Sequence, residues 1–280
     1  VAFLSLVMVT SVAAVQYGQP DGYGHPYVGL VLFYDSNKVP LWRCTGTLIS
    51  STVLLTAGHC TGIDPELGFG PTYAQVWFDP GPIVPDPNYP AGGSCKTGKY
   101  AGYPCTGGYW GIPYPHPEWN GYLTIPNTHD VGVVVLNKRL TTQGFGLLAP
   151  AGYLDTLATK RGVQNVEFTV VGYGLQLVKP VFSGVRERYV ATVSLVNLRS
   201  ALTDGYNLHY SNSPGEGVGP GGTCFGDSGG PVLHTNDQGQ EVIVSVNSFV
   251  LNLNCKGAAF GYRVDITDSR TFLADYVTLP

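Results

Sequence analysis

Short apolar runs, each cut off by turn-forming residues, set the first limit on this chain. They are "YVGLVLFY" (27–34), "AQVWF" (74–78), "VGVVVL" (131–136), "VEFTVVGY" (166–173), "RYVATVSLV" (188–196), "PVLH" (231–234) and "EVIVSVNSFV" (241–250). All are rich in β-branched or aromatic residues, and Gly, Pro, Asn and Asp stand between them. With 38 Gly and 21 Pro in 280 residues, short strands joined by turns are favoured over long helices. The pattern predicts an all-β chain of sandwich or barrel type. A helix is expected at the C-terminus, in "DITDSRTFLADYV" (265–277). There Ile266, Phe272, Leu273, Tyr276 and Val277 share a face, and Thr267 or Asp268 is placed to cap it. A short helical turn is expected after Ala57-Gly58-His59-Cys60.

The net charge of −4 argues against nucleic-acid and anionic-membrane partners. Residues 1–14, "VAFLSLVMVTSVAA", are apolar and uncharged but too short to span a bilayer. Ending on Val12-Ala13-Ala14, they read as a signal-peptide remnant, with a buried strand as the alternative. A secreted chain meets an oxidising compartment, and six cysteines then suggest three disulfides among 15 pairings. No CxxC or zinc-finger spacing surrounds them, and no EF-hand loop occurs, so no metal and no cofactor are expected.

"GTCFGDSGGP" (222–231) carries the most chemical information. A serine between glycines sits on a tight turn with its hydroxyl exposed, where backbone N–H groups can reach a substrate oxyanion. The same residues fit the G-x-S-x-G nucleophile elbow. That motif requires a strand-to-helix turn with an acid and then a histidine downstream, and here Pro231 and a strand follow at once. Upstream lie His59 in "TAGHC" and Asp130 in "NTHDVGVVVL". A serine nucleophile needs a base, and the base needs a carboxylate to orient it and to stabilise the imidazolium.

These three boxes resemble those of the trypsin/chymotrypsin-like serine proteases, and the overall look is that of a secreted microbial member. "TAGHC" is similar to the family's TAAHC, "HDVGVVVL" to its DIALL-type box, and "GDSGGP" is its serine box unchanged. The resemblance implies two antiparallel six-stranded β-barrels of the chymotrypsin type with a short C-terminal helix. It places an N-terminal barrel at 15–140 with an inserted loop at 79–126, a linker at 141–162, a C-terminal barrel at 163–265 and the helix at 266–280. The implied catalytic residues are Ser228 as nucleophile, His59 as general base and acid, and Asp130 as its orienting carboxylate. Backbone N–H groups of Gly226 and Ser228 would hold the oxyanion, and Ser248 would support Asp130. The implied disulfides are Cys44–Cys60 and Cys224–Cys255, which leaves Cys95 with Cys105, a bridge outside the family's common pattern.

In the family a freed N-terminus pairs with the acid before the serine, here Asp227. No Lys or Arg precedes Lys38, and the expected terminus falls near Ala14 or Val15, at the signal cleavage point. The expectation is that signal cleavage itself exposes the ammonium, with an internal partner for Asp227 as the alternative. The specificity pocket is expected to involve Gly222, Thr223, Ser248 and Val250, with Phe260 as a further wall. Gly222 stands where an acid would select Arg or Lys, so small or medium neutral residues are the expected preference, with aromatics second. The loop "KYAGYPCTGGYWGIPYPHPEWNGYLTIP" (99–126) is expected to overhang the cleft, as a self-packed loop, a substrate-narrowing element or a carbohydrate platform. His25, His116, His209 and His234 are expected at the surface, and His129 as structural or exposed. Asp268 and Asp275 are expected as caps or solvated charges. Polypeptide substrates and protein inhibitors are the implied partners of a secreted, extracellular monomer. A noncatalytic binding protein on the same fold is the rival reading.

Overall fold

The computed structural model describes residues 15–83, 108–157, 166–176, 184–214 and 221–280. The segments 1–14 and the expected Cys95–Cys105 bridge lie outside them. Six strands close the first barrel: β2 (Val28–Tyr34), β3 (Pro40–Leu48), β4 (Val53–Thr56), β5 (Tyr73–Trp77), β6 (Tyr109–Pro115) and β7 (Gly132–Leu136), after the two-residue strand β1 (Gln19–Pro20). Their order around the barrel is β2-β3-β4-β7-β6-β5. The second half holds β8 (Leu147–Leu148), β9 (Glu167–Gly172), β10 (Tyr189–Asn197), β11 (Asn207–Asn212), β12 (Pro231–Thr235), β13 (Glu241–Val250) and β14 (Gly257–Arg263). Here β10-β11-β14-β13-β12-β9 run in order and β9 pairs back with β10, closing a second six-stranded antiparallel barrel. Strand β1 adds to β10, and β8 pairs with β13 in parallel. The helices are short: α1 (Gly58–Thr61), α2 (Tyr153–Thr156) and α3 (Thr267–Ala274).

Strand β2 reads as a continuous apolar run because both of its faces are covered. Val28, Leu30, Leu32 and Tyr34 join a cluster that also holds Tyr173, Leu233, Tyr262 and Phe272, so this face packs the first barrel against the second and against α3. Val31 and Phe33 face a separate cluster with Leu54, Val76 and Val134. Each such side chain, fully buried, stabilises the fold by roughly 1.5–3 kcal/mol before entropy is counted. This shared layer fixes the two barrels against each other, and the cleft lies between them.

Two expectations are corrected here. The 79–126 stretch is not only a loop, because β6 within it is a barrel strand that pairs with β5 and β7. Its prolines disguise it. Pro113 and Pro115 sit where pairing to β5 has already ended and only β7 is opposite, so their missing N–H costs no second ladder. The helix α3 starts without a side-chain cap, its N-cap being Ile266. Asp268 is instead occupied by His129 Nδ1 at 2.9 Å and by the Tyr262 hydroxyl.

Candidate active site

His59 is delivered by α1, directly after β4. Gly58 makes the close approach possible: a Cβ there would lie 3.0 Å from His129 O and 3.1 Å from Asp130 Cα. Cys60, the next residue, is bonded to Cys44 on β3, which pins the histidine turn to the barrel wall. Across this contact, Asp130 Oδ1 accepts the His59 backbone N–H at 2.7 Å, and His59 Nδ1 lies 2.9 Å from Oδ2. The Ser248 hydroxyl, from β13 of the second barrel, donates to Oδ2 as well. Asp130 is wholly buried.

Burial alone would raise the Asp130 pKa, but the charge and hydrogen bonds of His59, with the Ser248 donor, hold it below the ordinary carboxylate value. For His59, burial works toward a lower pKa. The Asp130 charge and hydrogen bond outweigh it, and the imidazole lies above its ordinary value. The couple therefore favours an imidazolium facing a carboxylate, the charge state that proton uptake from a nucleophile would create.

Ser228 lies on the turn between Cys224 and β12. Asp227 N–H donates to Cys224 O and Gly230 N–H to Asp227 O, both at 2.9 Å. Gly229, at φ +77°, is pressed onto the first barrel, where a Cβ would meet Thr56 Oγ1 and Thr45 O. Thr45 then stitches the turn across the cleft: its N–H donates to Ser228 O and its hydroxyl to Gly226 O, each at 2.8 Å. Among the described residues, the N–H groups of Gly226 and Ser228 donate to no protein acceptor. Ser228 and His59 line the same two cavities, although no hydrogen bond joins Ser228 Oγ to the ring.

One cavity, of about 230 Å³, is lined by Thr223, Ser248 and Val250 with Asn247, Phe249 and Cys224. Among the described residues, no Asp, Glu, Lys or Arg lines it. Gly222, expected at the base, is not one of them. Its N–H donates to Gln16 O at 3.0 Å, so the N-terminal segment occupies that side. Phe260 is fully buried and stacks on Phe249 at 4.6 Å, so it backs the wall and does not form it. The second cavity, of about 690 Å³, lies on the other side of the shared residues His59, Phe225 and Ser228. It is lined by Leu41, Trp42, Ile63 and Trp119.

A family model described as Trypsin matches residues 112–272, more than half of the chain. The chain belongs to the trypsin family. This trypsin-family chain is a chymotrypsin-like serine endopeptidase. The match takes in Asp130 and Ser228 and begins after His59, whose place rests on the geometry above. Among 842 matching solved chains is one titled "HL collagenase structure at 1.7A resolution". It is 17% identical with a TM-score of 0.62, over 94% of this chain and 98% of that one, a likeness of fold. No curated protein matches the chain.

Asp227 is the family's acid before the serine. Here it is wholly buried and accepts N–H bonds from Gly174 at 2.8 Å and Cys224 at 2.9 Å. Among the described residues no ion pair reaches it. Burial pushes its pKa up to about 7 against those two donors and the more distant Arg43. Val15 is fully buried, and Gln16 beyond it touches Cys224 Sγ at 3.7 Å and accepts from Ser213 Oγ at 3.0 Å. Cys224 is bonded to Cys255.

Two histidines expected at the surface are buried, His25 at 8% and His116 at 6% exposure. His25 lies between Asp21 and Glu241, and His116 stacks on His129 at 5.1 Å. The sequence reading also missed Thr45, which holds the serine turn. A threonine in "RCTGTLIS" carries no local signal of a partner more than 180 residues away.

Proposed function

We propose that this enzyme is a secreted endopeptidase that cleaves after small or medium neutral residues, using Ser228, His59 and Asp130. The observation that carries the reading is that buried Asp130 holds a half-buried His59, which lines a cavity together with Ser228. As Ser228 Oγ bonds to the substrate carbonyl carbon, His59 Nε2 takes the hydroxyl proton. Asp130 holds Nδ1–H and stabilises the imidazolium. The carbonyl oxygen becomes an oxyanion, received by the unpaired N–H groups of Gly226 and Ser228. His59 then gives its proton to the leaving amine as the C–N bond breaks, and an acyl-enzyme remains. Water repeats the sequence with His59 as base, releasing the acid and restoring Ser228.

The neutral lining of the 230 Å³ cavity supports a neutral side chain before the scissile bond, with Phe249 and Val250 limiting its size. Two buried disulfides suit an oxidising, extracellular setting. We further propose that removal of residues 1–14 leaves Val15 as an ammonium that pairs with Asp227, a buried carboxyl that no ion pair reaches among the described residues. A chain extended by one residue before Val15 should then lose activity, and full activity would refute this route. The protein is proposed to act as a monomer open to protein inhibitors. Cleavage profiling on a peptide library tests the specificity. The expected cuts follow Ala, Val, Thr or similar residues, and cuts after Arg or Lys would contradict the pocket reading. A fluorophosphonate that labels wild type but not Ser228→Ala excludes the noncatalytic alternative.

A further inference from the structure

The sequence spacing suggested no metal site, yet folding gathers three ligand-bearing side chains from distant parts of the chain. His116 follows β6, His129 precedes Asp130, and Asp268 lies in the first turn of α3. One ligand atom from each lies within 4.8 Å of the others. His129 Nδ1 is 2.9 Å from Asp268 Oδ2, and His116 Nε2 is 3.7 Å from the same oxygen. Two imidazoles and a carboxylate suit zinc and its neighbours better than the harder Ca²⁺ or Mg²⁺. Zinc–ligand bonds of about 2.0–2.2 Å in a tetrahedron place donor atoms roughly 3.3 Å apart. The two observed separations straddle that value. We propose that His116, His129 and Asp268 form a binding site for a zinc-class divalent cation, with a fourth position left to water.

The surroundings support this reading. His129 Nε2 lies 3.2 Å from Glu118 Oε2, so a metal on Nδ1 would leave the other ring N–H donating to a carboxylate, the usual outer partner of a ligating histidine. The Tyr262 hydroxyl donates to Asp268 and orients it. A cavity of about 890 Å³ opens onto all three ligands, and Asp204 and Asp275 on its wall add negative charge that concentrates cations. One contact opposes binding: His116 Nδ1 accepts the Glu118 N–H at 3.2 Å. Coordination through Nε2 moves the ring proton to Nδ1, so this bond must break and the Pro117–Glu118 turn must shift. With that cost and only three protein ligands, the site is exchangeable and not permanently filled. A bound ion would tie α3 to the segment whose next residue is Asp130.

The test uses inactive Ser228→Ala protein, so its result does not depend on the peptidase reading. Zinc binding is measured by calorimetry, with Co²⁺ absorption as a report of coordination. One ion per chain is expected, with affinity falling at least tenfold in His116→Gln and in Asp268→Asn. His59→Ala, on the same background, should bind as before. Glu118→Gln is exposed and safe for folding, and should weaken binding severalfold. Zinc should raise Tm in the Ser228→Ala protein and not in its His116→Gln derivative. Absence of stoichiometric binding overturns the proposal. So does binding that is abolished by His59→Ala and untouched by His116→Gln.

Discussion

Replacing His25 should remove a pH-dependent clamp between the N-terminal segment and the second barrel. His25 Nδ1 lies 2.5 Å from Asp21 Oδ1, and Nε2 lies 2.9 Å from Glu241 Oε2. Asp21 in turn accepts from the fully buried Arg188 at 2.7 Å. Burial by itself would lower the His25 pKa, but hydrogen bonds to Asp21 and Glu241, with their charges, raise it from 6.5 to about 9. The folded pKa is above the unfolded one, so the folded state holds the proton more tightly. The stabilisation is therefore full below about pH 6.5 and is lost as pH rises through about 9. At about 1.4 kcal/mol per pH unit, that interval amounts to an order-of-magnitude 3 kcal/mol. Denaturant unfolding of Ser228→Ala protein, which cannot digest itself, measures this with and without His25→Gln. The variant should be less stable by about 3 kcal/mol near pH 6 and nearly equal near pH 10. The difference between the two proteins cancels every other group that titrates in the window. A difference that stays constant across that range would refute the reasoning.

Three further outcomes follow from the active-site geometry. Ser248→Ala removes one of the donors to buried Asp130 and should lower kcat roughly tenfold with KM little changed, read by steady-state kinetics. The rate constant kcat/KM should rise with pH as His59 loses its proton, with a midpoint above the ordinary imidazole value because Asp130 favours the charged ring. Replacing both Cys44 and Cys60 by Ala opens a loop with a sequence separation of 16. Unfolding stability should fall by about 3 kcal/mol in the chain-entropy account.

Much of the fold was legible wherever a strand is covered on both faces. The run at 241–250 is β13 end to end, and 27–34 differs from β2 by a single residue. Two strands outside those runs, β6 and β11, are held by their neighbours more than by their own composition. Strand β11, "NLHYSN", has no β-branched residue but pairs along its length with β14. Strand β6 was hidden by its prolines. In the site, His59, Asp130 and Ser228 were legible because each sits in a local box whose neighbours serve a local purpose: Gly58 for close approach, Cys60 for the bridge, Gly229 for the positive φ. The positions of His25, His116 and Asp268 were not legible. Their partners are brought in by barrel closure and by the packing of α3, and no short window of sequence records such contacts.

The central claim is that the Ser228 hydroxyl attacks because His59 takes its proton while Asp130 holds the ring and stabilises the imidazolium. Rapid mixing with a chromogenic ester, followed by mass analysis of the trapped intermediate, tests it most directly. The account predicts a burst of one equivalent, an acyl group on Ser228, and loss of the burst in both Ser228→Ala and His59→Ala. A burst that persists in Ser228→Ala, or an acyl group carried by another residue, would contradict it.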